Sequence, residues 1–290
     1  MDSVRAVVPG HVTAFFSPEP ALDPALAGAR GGGTALSHGV EMQARRVANG
    51  AGGLWLNGHR TTITAVSGVL DALDVPDVRL EARTRLPLGA GFGVSGAAAL
   101  GTALTVGALS ETAWSRRSLV AIAHVADVEA ESGLGDVVAQ AHGGVPLRLE
   151  PGAPPHAQLE SIETPPRQLE YLSRGALSTA AVLGGDTRAL ETAGRRALAA
   201  VRATPTVEEL MAAGARFGAQ AGLVSPALEE IIATVTETGG IATMAMLGET
   251  VVALDTGLSD AGYEAVGCEI DPVGARLIHT EGDFAHSPDG

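Results

Sequence analysis

The stretch LPLGAGFGVSGAAAL, residues 86–100, decides the fold. Glycine fills alternate positions from Gly89 to Gly93, and after Gly96 small apolar residues predict a helix over 96–109. Because glycine has no Cβ, the backbone N–H groups of such a loop can point at an anion, and the N-terminus of the following helix adds a partial positive charge. The stretch therefore predicts a loop and a helix that bind phosphate groups, with a purely structural glycine turn as the alternative.

The same glycines match the dinucleotide fingerprint Gly91-x-Gly93-x-x-Gly96. Residues 78–85, just before them, alternate between apolar and charged side chains, which predicts a strand with one solvated face. The first strand of a Rossmann fold is buried on both faces, and Pro87 separates residues 78–85 from the glycines. The pattern therefore favours an antiparallel sheet, with an NAD-dependent oxidoreductase as an alternative.

The charge composition excludes several chemistries. All 19 basic residues are arginine, and 33 acidic residues bring the formal net charge to −14. The chain has no lysine for a Walker-type loop or a Schiff base, and its charge is expected to repel nucleic acid. The acidity predicts a protein that stays soluble in high salt, since molar salt screens self-repulsion; a GC-rich genome is the alternative origin of the arginines. The single Cys268 excludes an internal disulfide and is expected to be buried.

Two domains are predicted, because residues 151–167 are rich in proline and indicate a linker or a long loop. We place the boundary so that the domains are residues 1–158 and 159–290. Strands with interleaved helices predict an α+β architecture. The predicted strands are 4–16 with a break at Pro9-Gly10, 54–66 around an Asn57-Gly58 hairpin, 78–85, one after Gly143-Gly144, one near 176–183, 241–254 and 263–279. The predicted helices are 69–73, 96–109, 116–131, 186–203, 206–221 and 226–238.

Two further segments are predicted to be irregular, and a third is long enough and apolar enough to be considered as a membrane span. Residues 17–33 predict a loop, and the polar tail from Glu281 is expected to be disordered. Residues 86–110 are 25 residues without a charge, which is long enough to span a bilayer. Six glycines and a proline interrupt them, so the predicted helix is too short to cross. We therefore expect a cytoplasmic protein with no membrane partner.

Six segments in order along the chain resemble the GHMP kinases. Residues 87–97, Pro-x-Gly-x-Gly-x-Gly-x-Ser-Gly-Ala, resemble the phosphate loop of that family. The other segments are VPGHVTAFF at 8–16, AHVADVE at 123–129, GLGDVV at 133–138, Gly143-Gly144 and MAMLGE at 244–249. Together they are similar to the archaeal pantoate kinase branch over nearly the whole chain.

This resemblance implies the GHMP kinase fold, in which an S5-like N-terminal domain joins a ferredoxin-like C-terminal domain and the active site lies between them. It implies phosphorylation of the primary hydroxyl of (R)-pantoate to (R)-4-phosphopantoate for coenzyme A biosynthesis, with ATP and Mg²⁺ as cofactors. Pantoate is the implied small-molecule partner, and the family suggests a homodimer. The alternatives are a homoserine, shikimate or mevalonate type of GHMP kinase, or a non-catalytic nucleotide-binding protein of the same fold.

The resemblance also implies which residues bind the nucleotide and its metal. Ser95 and Asp127 are the implied Mg²⁺ ligands, although the pantoate kinases typically carry glutamate at the position of Asp127. His124, Asp127 and Glu131 are spaced i, i+3 and i+7 on one predicted helix face, so Glu131 is the alternative ligand. The implied ATP-binding residues are Pro87, Gly89, Gly91, Gly93, Ser95, Gly96 and Ala97.

Asp136, within the GLGDVV segment, matches the family's catalytic aspartate. An aspartate beside the acceptor hydroxyl can orient it and take its proton, while phosphoryl transfer otherwise needs alignment and neutralised charge. Arg148 is implied to bind pantoate, because a guanidinium suits a carboxylate. The further implied substrate contacts are His11, Arg30 and His124.

Overall fold

The computed structural model describes residues 3–48, 50–75, 77–176 and 188–278. Within this part of the chain, strands and helices are interleaved, and the strands form two β-sheets. The strands are β1 (Ser3–Glu19), β2 (Gly28–Arg46), β3 (Gly53–Leu56), β4 (His59–Thr61), β5 (Val78–Arg83), β6 (Pro146–Glu150), β7 (Gln158–Ser161), β8 (Gln168–Ala176), β9 (Ala242–Met244), β10 (Gly248–Leu254), β11 (Val266–Glu269) and β12 (Arg276–Ile278). The helices are α1 (Thr64–Leu73), α2 (Val94–Leu109), α3 (Arg116–Glu129), α4 (Asp136–His142), α5 (Arg188–Ala203), α6 (Val207–Gln220), α7 (Pro226–Glu237) and α8 (Gly257–Asp260).

The larger sheet has the strand order β12-β1-β2-β5-β3-β4, with β6 added to β2 and β7 added to β6. Neighbouring strands run antiparallel except β3 and β5, which are parallel. The smaller sheet is antiparallel, in the order β11-β8-β10-β9. Because β12 pairs with β1, the described chain ends in the sheet in which it begins.

Helix α2 forms the centre of the core and lies against β1 and β2, with α1 and α3 beside it. Nearly all of its residues are buried. Gly101 and Gly107 permit this close packing, because a Cβ at either position would come within 3.0 Å of Met42 or Leu119. Only 3% of the residues are aromatic, so few large side chains are available to fill the core. Small side chains instead let the helices and strands approach each other closely, which keeps the core well packed.

The two sheets are joined through β1. Helices α5 and α6 pack against β1, and α6 also packs against β9 of the smaller sheet. The backbone N–H of Met246, in the β9–β10 turn, donates to the carbonyl oxygen of Thr13 at 3.0 Å. This arrangement brings the β9–β10 turn beside the glycine loop.

Most predicted elements around the glycine loop are confirmed. Residues 78–85 contain β5, and Asn57-Gly58 connects β3 and β4 with positive φ angles of 50° and 83°. The predicted helices 96–109 and 116–131 are α2 and α3, and the three C-terminal helices are α5, α6 and α7. The short helix predicted at 69–73 is longer, since α1 begins at Thr64.

The prediction of a loop over 17–33 is wrong, because β1 extends to Glu19 and β2 begins at Gly28. The glycines of this segment serve close strand pairing: a Cβ on Gly31 or Gly33 would clash with carbonyl oxygens of β1. The predicted break at Pro9-Gly10 is a register shift within β1. The predicted linker at 151–167 contains β7, which pairs with β6.

Each of the two long strands predicted near the C-terminus contains two separate strands in the structure. Residues 241–254 form β9 and β10, and 263–279 contain β11 and β12. Strand β8 covers Gln168–Ala176, whereas the strand predicted near 176–183 falls almost entirely on positions 177–187, which lie outside the described residues, as does the tail from Glu281. Cys268 is buried, as predicted, and burial raises the pKa of its thiol to about 12. Each helix in the described ranges is too short or too polar to cross a membrane.

Candidate active site

A cleft of about 360 Å³ opens beside the glycine loop. One wall is that loop with the start of α2, and another is the 131–135 segment between α3 and α4. Thr13 of β1, Arg148 of β6 and the β9–β10 turn at Met246 also line the cleft. Residues far apart in the sequence thus meet at a single cavity.

The glycine loop adopts a backbone conformation that few residues other than glycine permit. Gly89, Gly91 and Gly93 have φ angles of 77°, 87° and 62°, in the left-handed region that other residues rarely adopt. Space is also limited, because a Cβ on Gly93 would lie 2.8 Å from Nε2 of Gln140. Gly93 directly precedes α2, so the free N–H groups at the start of a 16-residue helix border the cleft. The loop and helix can therefore hold phosphate groups.

Three side chains form a hydrogen-bonded chain below this loop. Ser95 Oγ donates to Ser132 Oγ at 3.1 Å, and Ser132 Oγ donates to Asp127 Oδ1 at 2.6 Å. Ser95 and Ser132 line the cleft, whereas Asp127 is 2% exposed and lies behind them. Burial raises the pKa of Asp127 to about 7, although the hydrogen bond from Ser132 opposes the shift. A buried carboxylate next to two hydroxyls is a suitable donor set for a hard cation.

Glu131 does not share a helix face with Asp127 as predicted. Helix α3 ends at Glu129, and Glu131 has a positive φ of 52° in the loop that follows. Its exposed side chain lines the mouth of the cleft. Gly96, by contrast, leaves room for Asp127, because a Cβ there would lie 3.2 Å from Oδ2.

Asp136 is the first residue of α4, and its side chain lines the cleft with 23% exposure. Its Oδ1 lies 2.7 Å from Nδ1 of His11 and 3.4 Å from Oγ1 of Thr13. Burial alone raises the pKa of Asp136, but hydrogen bonding to His11, the positive charge of Arg148 and hydrogen bonding to Thr13 outweigh it, so its pKa lies below the usual value. Asp136 is therefore a carboxylate at neutral pH.

Arg148 is buried at the cleft wall and keeps an unused donor. Its Nε donates to the carbonyl oxygen of Ala29 at 3.2 Å, while Nη1 is buried with no partner among the described residues. A Cβ on Gly135 would lie 2.7 Å from Nε, so the glycine provides space for the guanidinium. A buried donor without a partner is costly, and binding of an anion removes the cost.

The structure does not bring every implied residue to the cleft surface. His11 and His124 are buried behind it, and Nε2 of His124 lies 3.0 Å from the carbonyl oxygen of Ala27. Arg30 is engaged elsewhere, with Nη2 2.8 Å from Glu150 and Nε 3.2 Å from Glu19. Among the implied ATP-binding residues, Gly89, Gly91, Gly93 and Ser95 line the cleft, whereas Pro87, Gly96 and Ala97 do not.

Sequence reasoning missed three residues that the geometry selects. Ser132 connects Ser95 to Asp127, and Thr13 lies beside the carboxylate of Asp136. Gln140 donates from Nε2 to the carbonyl oxygen of Gly93 at 2.8 Å. Gln140 follows Asp136 by four residues on α4, and this helical spacing was the available signal.

Comparison with known proteins shows the family to which the chain belongs. The family model of the GHMP kinases N terminal domain matches residues 60–144. A pantoate kinase of Thermococcus kodakarensis is 33% identical over 239 residues, 79% of either chain. One from Methanospirillum hungatei is 31% identical over 289 residues, 96% of this chain and 97% of the relative. A solved structure described as a phosphotransferase related to the CoA biosynthesis pathway matches with a TM-score of 0.87 at 27% identity, over 97% of this chain and 100% of the other. The chain has the GHMP kinase fold and belongs to the pantoate kinase family within the GHMP kinases.

Proposed function

We propose that this protein is an ATP-dependent kinase that phosphorylates (R)-pantoate to (R)-4-phosphopantoate in coenzyme A biosynthesis. The observation that carries the proposal is the meeting of a glycine phosphate loop, the Asp136 carboxylate and the unpartnered Nη1 of Arg148 at a single cleft. Pantoate offers a carboxylate and a primary hydroxyl, which match the guanidinium and the aspartate. The two pantoate kinases that align with most of the chain support this choice of acceptor.

Asp136 is the proposed catalytic residue. Because its pKa lies below the usual value, it is ionised at neutral pH and can accept a hydrogen bond from the acceptor hydroxyl. It orients that hydroxyl toward the γ-phosphate and takes its proton as the new P–O bond forms. The carboxylate of the substrate is placed by Arg148, whose guanidinium can form paired hydrogen bonds with it.

Mg²⁺ is the proposed companion of ATP, with Ser95 and Asp127 as its ligands and Ser132 beside them. The residues fit this ion, since Mg²⁺ is commonly bound by one or two carboxylates together with nucleotide phosphates. Burial raises the pKa of Asp127, and a cation next to it would compensate the buried charge. When bound, Mg²⁺ neutralises charge on the phosphates. Glu131 remains the alternative ligand at the cleft mouth.

Arg30 and His124 are proposed to lie behind the cleft wall that contacts pantoate and to support that wall. His124 is hydrogen-bonded to the carbonyl oxygen of Ala27, and Arg148 donates a hydrogen bond to the carbonyl oxygen of Ala29. His124 and Arg148 therefore hold the start of β2 beside the cleft. Arg30 fixes the neighbouring strand β6 through Glu150. These contacts would keep the substrate wall in place.

An acceptor screen tests the proposed function. The purified protein, with ATP and Mg²⁺ in high KCl, is offered pantoate, homoserine, shikimate or mevalonate, and ADP release is measured. We expect turnover with pantoate and none with Asp136→Asn, which should still bind ATP. Turnover of another acceptor without turnover of pantoate would identify a sister kinase. ATP binding without turnover of any acceptor would favour a non-catalytic nucleotide-binding protein.

Four broader properties belong to the same proposal. The net charge of −14 supports adaptation of a haloarchaeal protein to high salt. We further propose a cytoplasmic location, a homodimer, and domains that divide near residue 158. Size-exclusion chromatography with light scattering in 2 M KCl, roughly the molar range in which surface charges are screened, tests the homodimer.

A further inference from the structure

His11 lies on β1, and its imidazole is fully buried. It does not line the cleft, but it is hydrogen-bonded to Asp136, which does. Its exposure is 0%, and it is absent from the residues that line the cavity. Burial lowers its pKa, and hydrogen bonding to Asp136 and the charge of Asp136 oppose the shift without overcoming it. The imidazole is therefore neutral at pH 7. Since Asp136 is a carboxylate and can only accept, the single ring proton is on Nδ1 and is donated to Oδ1 across 2.7 Å.

The same oxygen of Asp136 receives both hydrogen bonds that described residues donate to its carboxylate. The hydroxyl of Thr13 donates to Oδ1 at 3.4 Å, beside the bond from His11. Oδ2 is therefore the oxygen available to a substrate. Because the side chain of Asp136 lines the cleft, a ligand hydroxyl can reach this second oxygen.

The larger sheet provides space for the imidazole. A Cβ on Gly33 would lie 2.6 Å from Nε2 of His11, so the glycine of β2 is required beside the ring. Nε2 itself is buried and has no hydrogen-bond partner in the described ranges. An unpartnered buried nitrogen costs stability, and a residue selected for stability alone would not be expected to have one. The ring is thus committed to Asp136 through one nitrogen.

We propose that His11 is a positioning residue for phosphoryl transfer: its Nδ1–H fixes Oδ1 of Asp136 and leaves Oδ2 to receive the acceptor hydroxyl. This inference rests on the proposed kinase function for its consequence, but the His11–Asp136 interaction can be measured without turnover. Three titratable or charged groups face Asp136: His11 from β1, Arg148 from β6 and Asp127 from α3. Of these, His11 and Arg148 favour the carboxylate, and Asp127 opposes it when ionised.

The first test uses two variants of similar size. His11→Asn keeps an N–H donor near the position of Nδ1, whereas His11→Leu fills the site without a donor. The carboxyl signal of Asp136 is followed by ¹³C NMR against pH, and Asp136→Asn identifies that signal. We expect His11→Leu to move the titration of Asp136 upward by about one pH unit or more, since a lost hydrogen bond is worth roughly that much. His11→Asn should reverse most of the shift.

Equal titration of Asp136 in all three proteins would overturn the inference. ATP affinity, measured by calorimetry, checks that both variants fold. If His11→Leu does not fold, the ¹⁵N spectrum of wild-type His11 decides: a proton on Nδ1 supports the inference and a proton on Nε2 contradicts it. These readouts stand whether or not pantoate is the acceptor.

Kinetics then connect the interaction to catalysis. With the acceptor found in the screen, the acid limb of kcat against pH should move to higher pH in His11→Leu, while the KM for ATP stays within about twofold. A rise in KM for the acceptor with an unchanged pH profile would instead make His11 a binding residue. If the wild type turns over none of the acceptors, but the titration of Asp136 still moves upward in His11→Leu, the kinase function is rejected and the His11–Asp136 interaction is retained.

Discussion

The hydroxyl of Ser132 donates to Oδ1 of Asp127 at 2.6 Å and receives a hydrogen bond from Ser95 at 3.1 Å. Asp127 is buried and does not line the cleft, whereas Ser132 does. The serine therefore links a carboxylate in the interior to the surface of the cleft. In the proposed Mg²⁺ site, Ser132 would hold the carboxylate of Asp127 in place next to Ser95.

Ser132→Ala should weaken binding of the divalent cation. Without its donor, Asp127 loses the hydrogen bond that stabilises its charged form, so its pKa rises further. Residues that orient a metal ligand typically change metal affinity about 10- to 100-fold. Mn²⁺ titration in the presence of a non-hydrolysable ATP analogue measures this. Ser67→Ala, at an exposed position of α1, is the matched control, and equal Mn²⁺ affinity in the two variants would contradict the role of Ser132.

Asp127→Asn should stabilise the protein at the expense of its function. Burial raises the pKa of Asp127 from 3.8 to about 7, so the stability of the wild type falls as the pH rises through that window. Three pKa units correspond to about 4 kcal/mol, which is an upper limit for the gain at pH 8. Urea denaturation without Mg²⁺, at pH 8 and at pH 4, measures the difference.

The gain from Asp127→Asn should disappear at pH 4, where the native carboxyl is protonated and also neutral. Asp71→Asn, at an exposed position of α1, controls for the loss of one negative charge from an acidic chain. If Asp127→Asn and Asp71→Asn change the free energy of unfolding equally at pH 8, burial is not the cause. Loss of Mg²⁺-dependent activity in the stabilised variant would show that the native carboxylate is retained for function.

Arg148→Lys should raise the KM for the acceptor and leave the KM for ATP nearly unchanged. Lysine retains the positive charge but cannot use Nη1 together with a second nitrogen to hold a carboxylate. Hydrogen bonds to charged groups contribute about 1.5–3 kcal/mol, so a rise of about 10- to 100-fold is expected. Steady-state kinetics with each substrate varied in turn separate the two effects. Arg174→Lys, at an exposed position of β8, should have no effect, and a parallel rise in KM for ATP would place Arg148 on the nucleotide side.

Local signals predicted the part of the site that neighbouring residues build. The glycine loop at 89–93 and the helix α2 that follows it come from one short motif, whereas helix α4, which begins at Asp136, was not predicted. Strand β5 was equally predictable, since its alternating side chains reflect one buried and one solvated face. In these cases the conformation is set by residues within a few positions of each other.

Contacts between distant residues were not predictable from the sequence. Ser95 and Ser132 are 37 positions apart, and Arg30 meets Glu150 at a separation of 120. The glycines at 31 and 33 indicated a loop, because their need for space arises from β1 and from the His11 ring, which the sequence does not place beside them. Long-range packing therefore decided whether a glycine, a serine or an arginine serves the fold or the site.

Gly93→Ala should reduce ATP affinity by more than its effect on stability explains. Its φ is 62°, and a Cβ would lie 2.8 Å from Gln140 Nε2 and 3.2 Å from the Asp136 side chain. Gly58→Ala is the matched control, because its φ is 83° and a Cβ there meets nothing within 4 Å. Both variants carry the cost of a left-handed alanine, roughly 1–2 kcal/mol.

Thermal denaturation should therefore show a loss of stability in both variants, with a larger loss for Gly93→Ala. Calorimetric titration with ATP should show a lower affinity in Gly93→Ala alone, because its Cβ displaces the amide of Gln140 that fixes the glycine loop. Gly58 lies in the β3–β4 turn and does not line the cleft, so Gly58→Ala should bind ATP as the wild type does. Equal ATP affinity in the two variants would mean that the loop tolerates a side chain and that its glycines serve the turn rather than the phosphates.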